Sequence, residues 1–313
     1  RIGYQLPSLQ LRKTEDLLEK KHIEYSDWQG GPVDIITTGD SFSEGGAKGK
    51  NSYYQDYIAT LHDLKVLNVP QSSKQDHFID KILSWKKNGL LDKAKPKAVL
   101  LETGARLAVN EYTRDIDWEM ESIPSENENA PNNNRIEQDS IPFINTANYK
   151  FLLYNLLYQF SPNAFDYSSV YKLMLDKPFF NAPAHSTLLF SQNDVSELKH
   201  YNDENIQRIN QSLNRLAGIL KRDGIALIVM LVADKYDLYS PYILDNPYPE
   251  NRFFELFRPL NKDYEFIDTK AILSPLLERN EFDLYFADDT HWNYKASEAI
   301  VTNTPFREMI QSP

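Results

Sequence analysis

The run Ile225-Ala226-Leu227-Ile228-Val229-Met230-Leu231-Val232 constrains this chain more than any other feature, because it carries no polar residue on either face. It follows Gly224 and a stretch, Asp203 to Asp223, whose Ile206, Ile209, Leu213, Leu216 and Leu220 share one helical face. A strand that is apolar on both sides belongs to a parallel sheet covered by helices above and below. The same unit recurs earlier in the chain. Val33 to Thr38, Lys65 to Val69 and Ala98 to Glu102 read as short buried strands, and helix-compatible segments, Tyr53 to Leu64 and Asp76 to Asn88, precede the last two. A final strand, Tyr264 to Asp268, comes before a C-terminal helix, Asn293 to Val301. Alternation of this kind predicts βαβ units, and hence an α/β fold of three layers, α/β/α, around a mostly parallel sheet of about five strands.

The remaining stretches divide the chain. Residues 1–32 are expected to form an N-terminal helical extension, with a Lys- and Glu-rich helix from Leu9 to Ile23 and a turn at Gly30-Gly31. Residues 33–112 and 201–313 supply the core, and 113–200 form an insertion of acidic loop plus helices. From Thr113 to Asn148 the composition turns to acidic residues, Asn and Pro, which predicts a loop. Tyr149 to Phe160 reads as a buried helix and Val170 to Leu175 as another. No internal repeat is visible.

Composition excludes several function classes. Lys and Arg number 34 against 45 Asp and Glu, a net charge of −11 with no basic stripe, so a nucleic-acid partner is excluded on charge. The chain has no cysteine, which removes disulfides, thiolate catalysis and cysteine-ligated zinc together. No run of about 18 apolar residues offers a membrane-spanning helix. The chain begins at Arg1 rather than Met, so a trimmed start, or a mature form whose targeting or anchoring segment lies outside it, is expected.

Two short motifs far apart in sequence carry the chemistry, Gly39-Asp40-Ser41-Phe42-Ser43 and Asp288-Asp289-Thr290-His291-Trp292-Asn293. The first lies at the end of the first strong strand, the edge at which parallel sheets bind ligands, and Gly39 allows a sharp turn there. A serine hydroxyl needs a base within hydrogen-bond reach, and the base needs an acid to fix its tautomer. The second motif supplies both, His291 with Asp289, or Asp288 as the alternative acid. Against this stands a plain helix-capping role for Ser41. A metal site is a poorer reading of the second motif, which has one histidine and two carboxylates and no second histidine in sequence range. No metal or cofactor is expected. Trp292 reads as packing beneath the histidine loop or as a sugar platform, and Asp40 as a holder of its own turn or a chemical participant. Lys235 and Tyr239 follow the strongest strand, where they would line the cleft or sit on a solvated loop. His22, His62, His77, His185 and His200 fall in polar surroundings that predict surface positions.

The paired motifs resemble those of the SGNH, or GDSL-like, hydrolase superfamily, whose members begin with a Gly-Asp-Ser block and end with an Asp-x-x-His block. Within it, the Asp-Thr-His-Trp wording, Glu102-Thr103-Gly104-Ala105-Arg106 and Asp234-Lys235-Tyr236 are similar to AlgJ/AlgX-type polysaccharide O-acetyltransferases. The likeness spans roughly residues 33–301. In the alginate proteins the histidine motif precedes the serine, whereas here it follows. The superfamily's second-block glycine is missing from Asn68-Val69-Pro70-Gln71-Ser72, and its Gly-x-Asn-Asp block is replaced by Glu102-Thr103-Gly104-Ala105-Arg106. The Ser41 backbone N–H is then the first candidate oxyanion donor, with Asn68, Gln71 and Arg106 as candidates for the rest, and Arg106 alternatively pairing with Glu102 or an anionic substrate.

The resemblance implies acyl transfer through an acyl-Ser41 intermediate to water or to a sugar hydroxyl of an extracytoplasmic polysaccharide. It also implies a membrane-bound acyltransferase as donor partner, in the periplasm or at the outer cell surface. A glycan-binding or assembly protein with an idle triad is the reading from another class, and a GDSL-type lipase or thioesterase a third.

Overall fold

The computed structural model describes residues 18–46, 51–71, 77–119, 153, 156–161, 169–181 and 185–311. Strands β1 (Ile23–Glu24), β2 (Ile35–Thr38), β3 (Val66–Asn68), β4 (Ala98–Gly104), β7 (Ala226–Val232) and β8 (Glu265–Asp268) form one sheet in the order β1-β3-β2-β4-β7-β8, and every pairing in it is parallel. A separate antiparallel hairpin joins β5 (Val170–Met174) to β6 (Thr187–Ser191). The helices, in chain order, are α1 (Tyr54–His62), α2 (Phe78–Lys87), α3 (Leu90–Ala94), α4 (Ala105–Tyr112), α5 (Asn193–Ser196) and α6 (Asp203–Lys221). They continue with α7 (Lys235–Tyr239), α8 (Phe253–Phe257), α9 (Thr269–Glu278), α10 (Tyr294–Thr302) and α11 (Phe306–Met309).

Side-chain alternation along the strands builds a core on each face of the sheet. Ile35, Val66, Leu100, Ile228, Met230 and Ile267 point into one core with residues of α1, α9 and α10. Ile36, Leu67, Val99, Leu101, Val229 and Leu231 point into the other, against α2, α3, α4, α6 and α8. This is the expected three-layer α/β/α arrangement. Asn202 caps α6 by accepting the Asn205 N–H, and Asp268 caps α9 in the same way from Ala271. Among the described residues no helix is long and apolar enough to cross a membrane.

Four expectations need correction. The sheet has six strands rather than about five, because Ile23–Glu24 adds an edge strand beside β3. The expected helix from Leu9 to Ile23 lies mostly outside the described residues, and its described end, residues 18–23, is not helical. Two strand residues among lysines and glutamates show no period, so only pairing with Leu67 and Asn68 reveals them. Val170 to Leu175 is not a helix; Val170–Met174 pairs residue by residue with Thr187–Ser191. A five-residue run, Val-Tyr-Lys-Leu-Met, is too short to separate the two periods, and the partner strand decides. In the expected buried helix Tyr149 to Phe160, the described residues 153, 156 and 157 are helical and Tyr158 is buried, but Leu153, Leu156 and Phe160 are exposed. Residues 113–119 of the expected acidic loop are turns and irregular structure, and the rest of it lies outside the described residues. Within residues 113–200, Leu175, Phe179, Phe180, Leu188 and Phe190 are buried in the same cluster as Ile228 and Met230.

Candidate active site

Because all six strands of the sheet run the same way, their C-terminal ends share one edge, and β2, β4 and β7 deliver the turns that matter to it. After Thr38 the chain turns through residues 39–46. A Cβ on Gly39 would lie 2.4 Å from both Glu102 Oε2 and Ser43 Oγ, so only glycine lets β2 pass β4 this closely. Asp40 closes the turn. Its Oδ1 accepts the Phe42 N–H at 3.0 Å and its Oδ2 the Gly104 N–H at 3.0 Å, which is the holding role rather than the chemical one. Ser41 is left exposed at the tip.

The second motif reaches Ser41 on a loop between α9 and α10. Asn293 N–H donates to Leu284 O, Phe286 N–H donates to His291 O, and Tyr285 bridges Trp292 in antiparallel fashion. Asp288, Asp289 and Thr290 therefore form the tip of a small hairpin, and Asp289 and His291 come to lie beside each other. The Asp289 carboxylate accepts from His291 Nδ1 at 2.6 Å, which leaves Nε2 to accept the Ser41 hydroxyl at 2.6 Å. Two ends of the chain 250 residues apart thus form one hydrogen-bonded row, Ser41, His291, Asp289. Asp289, not Asp288, is the acid on the ring.

Phe42 joins the two motifs physically. Its ring lies 4.8 Å from the His291 ring, 4.6 Å from Trp292 and 6.4 Å from Tyr285, centre to centre. Trp292 is buried in this stack and is no sugar platform. Gly46, at φ 49°, also lies against the imidazole, where a Cβ would sit 3.1 Å from the ring. Neither Phe42 nor Gly46 carries a role in the sequence reading. An aromatic next to the nucleophile and a glycine pair, Gly45-Gly46, four and five residues after it were the available signals.

Among the candidate oxyanion donors Ser41 N–H, Asn68 and Arg106, the Ser41 N–H has no acceptor among the described residues, whereas the other two are engaged. Asn68 is buried, accepting from Thr37 Oγ1 at 2.9 Å and Gln55 Nε2 at 3.1 Å while its own amide donates to Ser43 O at 3.0 Å. It braces the turn from below instead of reaching substrate. Arg106 pairs with Asp234 at 2.6 Å and Asp194 at 3.4 Å, not with Glu102 or with an open anion site. Burial opposes its charge, but Asp234, Asp194 and Asp40 together raise its pKa, so the guanidinium stays charged as the link between β7, α4 and the insertion. Gln71 is half-buried just beyond β3.

Two buried groups support the site, Glu102 beneath the Ser41 turn and Lys235 beneath the histidine loop. Glu102 Oε2 accepts from Ser43 N–H at 3.1 Å and Ser43 Oγ at 2.8 Å, and Ser43 Oγ also meets Tyr54 OH at 2.9 Å. Burial, with the Asp40 charge added, raises the Glu102 carboxyl well above its ordinary range. Lys235 and Tyr239 neither line a cleft nor sit on a solvated loop; both are completely buried in α7. Lys235 Nζ instead donates to the backbone of the histidine loop, at Phe286 O, Ala287 O and Asp289 O.

The remaining histidines divide. His185 and His200 are exposed and His62 and His77 half-buried, but the His22 ring is buried, 2.6 Å from Asp56 Oδ1 and 3.2 Å from Glu24 Oε1. A cavity of about 210 Å³ opens between Tyr112, Arg114, Trp118, Arg208 and Arg215, and it includes none of the residues around Ser41.

Neither a family model nor a curated protein matches the chain. Among solved structures it is similar to protein YxiM of Bacillus subtilis, at 12% identity and a TM-score of 0.36, over 91% of this chain and 57% of that one. The chain thus spans little more than half the length of that protein.

Proposed function

We propose that this protein is a serine-dependent acyl-transfer enzyme, an O-acetyltransferase or acetylesterase acting on an extracytoplasmic polysaccharide. The observation that carries the reading is the row of two 2.6 Å contacts from Ser41 Oγ through His291 to Asp289. Ser41 Oγ attacks the ester carbonyl while His291 Nε2 takes its proton. Asp289 holds the ring in the tautomer that can do so and stabilises the imidazolium that results. The tetrahedral oxyanion meets the Ser41 N–H. As the intermediate collapses, the imidazolium gives its proton to the departing alkoxide, leaving acyl-Ser41. Water or a sugar hydroxyl, deprotonated by the same imidazole, then releases the acyl group. An exposed Ser41 suits a polymer acceptor, since a bulky glycan needs no deep pocket to reach it. The family likeness supports a membrane-bound acyl donor and a periplasmic or cell-surface location.

Ser41→Ala is expected to abolish turnover of p-nitrophenyl acetate, and a variant as active as the parent removes this reading. The engagement of Asn68 and Arg106 elsewhere favours one rival, a glycan-binding or assembly protein with an idle triad. A fluorophosphonate probe separates the two. His291-dependent labelling of Ser41 belongs to the enzyme, and absence of labelling with intact glycan binding belongs to the binder.

A further inference from the structure

The loop that presents Asp289 and His291 is a short hairpin outside the main sheet, closed by the Tyr285–Trp292 bridge and a few backbone hydrogen bonds, and its two functional side chains are aligned on Ser41. Lys235 stands directly beneath it. Its side chain is completely buried, and its ammonium group donates to Phe286 O at 2.7 Å, Ala287 O at 3.1 Å and Asp289 O at 3.0 Å. Three protons meet three carbonyls, all within four consecutive residues of the one loop. Among the described residues no carboxylate forms an ion pair with it. The Phe180 ring lies 5.0 Å away on another side.

Burying an ammonium without a paired carboxylate is costly, and an apolar side chain of the same length would fill the space more cheaply. What an apolar residue cannot do is gather three carbonyl oxygens to one point. We propose that Lys235 is a positioning residue: its ammonium pins the 286–289 backbone so that Asp289 and His291 are held in line with Ser41 Oγ. The inference rests on the acyl-transfer reading for its effect on rate, but not for its effect on the imidazole.

The charge state follows the same geometry. Burial lowers the Lys235 pKa to about 7, against the opposing pull of Asp289, Asp288, Asp194 and Asp283, in that order. On its own helix Asp237 is engaged by Lys270 of α9, and on α4 Arg106 is engaged by Asp194 and Asp234. A neutral amine has two protons for three carbonyls, so the loop loosens and activity declines as pH rises through about 7.

The chain has no cysteine, so Lys235→Cys introduces a single thiol. Alkylated in the unfolded state and refolded, it yields two nearly isosteric side chains, S-aminoethyl with the ammonium and S-propyl without it. Both are compared with wild type by circular dichroism, by p-nitrophenyl acetate kinetics across pH, and by the downfield proton resonance of His291 Nδ1–H, assigned by its absence from His291→Gln. The S-propyl protein, folded, is expected to lose about tenfold or more in kcat with KM within about twofold, and to lose its alkaline decline and the downfield resonance. The S-aminoethyl protein is expected to recover all of these. Equal kcat and equal resonance in the two proteins overturn the proposal. So does an S-propyl protein that cannot fold where the S-aminoethyl protein can, since Lys235 is then a folding determinant. If wild type shows no Ser41-dependent turnover, the acyl-transfer reading falls while the imidazole resonance still decides the role of Lys235.

Discussion

The turn that carries Ser41 has no room for a side chain two residues earlier. At Gly39 a Cβ would meet Glu102 Oε2 and Ser43 Oγ at 2.4 Å and Glu102 Cβ at 2.8 Å, and Glu102 is fixed by burial and by its bonds to Ser43. Gly39→Ala is therefore expected to destabilise the fold by about 1–3 kcal/mol through overpacking and, on the proposed acyl-transfer function, to lower p-nitrophenyl acetate turnover by shifting the turn that carries Ser41. Urea denaturation and p-nitrophenyl acetate kinetics on the same preparation check both effects. A variant that matches wild type in each would show that β2 and β4 can separate freely here. Residue identities at this scale were legible where a motif named them, as with Ser41 and His291. The choice between Asp288 and Asp289 was not legible, since it depends on the hairpin formed by Tyr285 and Trp292, a tertiary feature.

At the scale of elements, the edge strand β1 is fastened by charge. The Asp56 carboxylate of α1 accepts from the His22 backbone N–H at 2.9 Å and contacts the ring at 2.6 Å, and Lys21 joins it at 2.9 Å. Burial pushes the His22 ring toward its neutral form, but Asp56 and Glu24 outweigh burial and raise its pKa from 6.5 to about 9. A raised folded pKa means that the folded state holds the proton more tightly than the unfolded chain. The stabilisation is thus complete below pH 6.5 and is lost as pH rises through about 9. The shift corresponds to about 3 kcal/mol at most. Urea unfolding of wild type and His22→Gln is expected to show a stability gap below pH 6.5 that closes above pH 9, and a gap independent of pH would remove the ion pair as its cause. Sequence patterning could not show this strand, because two residues carry no period and the fastening acid stands 34 residues away.

For the molecule as a whole, β7 decides the architecture. It pairs with β4 along its full length and with β8 over four residues, and it contributes side chains to the cores on both faces. Ile228 is completely buried in the core shared with α9, α10 and the hairpin. Ile228→Ala is expected to cost about 2–5 kcal/mol, read as a lower urea midpoint at an unchanged m-value. At low denaturant its KM for p-nitrophenyl acetate should stay that of wild type, since Ile228 lies in the sheet and not at its C-terminal edge. A loss well under that range would mean that the core closes over the missing atoms.

The amino-acid order by itself determined the layers and the edge on which Ser41 lies, because apolar runs and amphipathic helices are local patterns and parallel pairing follows from their alternation. It also named Ser41 and His291, since a short motif is local too. Only the tertiary structure decided that Asp289 holds the imidazole, that Asn68 and Arg106 serve the scaffold, and that Lys235 lies under the histidine loop. Each of these depends on which buried polar group finds a partner, and in a folded chain such partners stand from two to over a hundred residues away. Burial makes an unmet hydrogen bond expensive, so the pairing is settled by packing in three dimensions, where no local pattern records it.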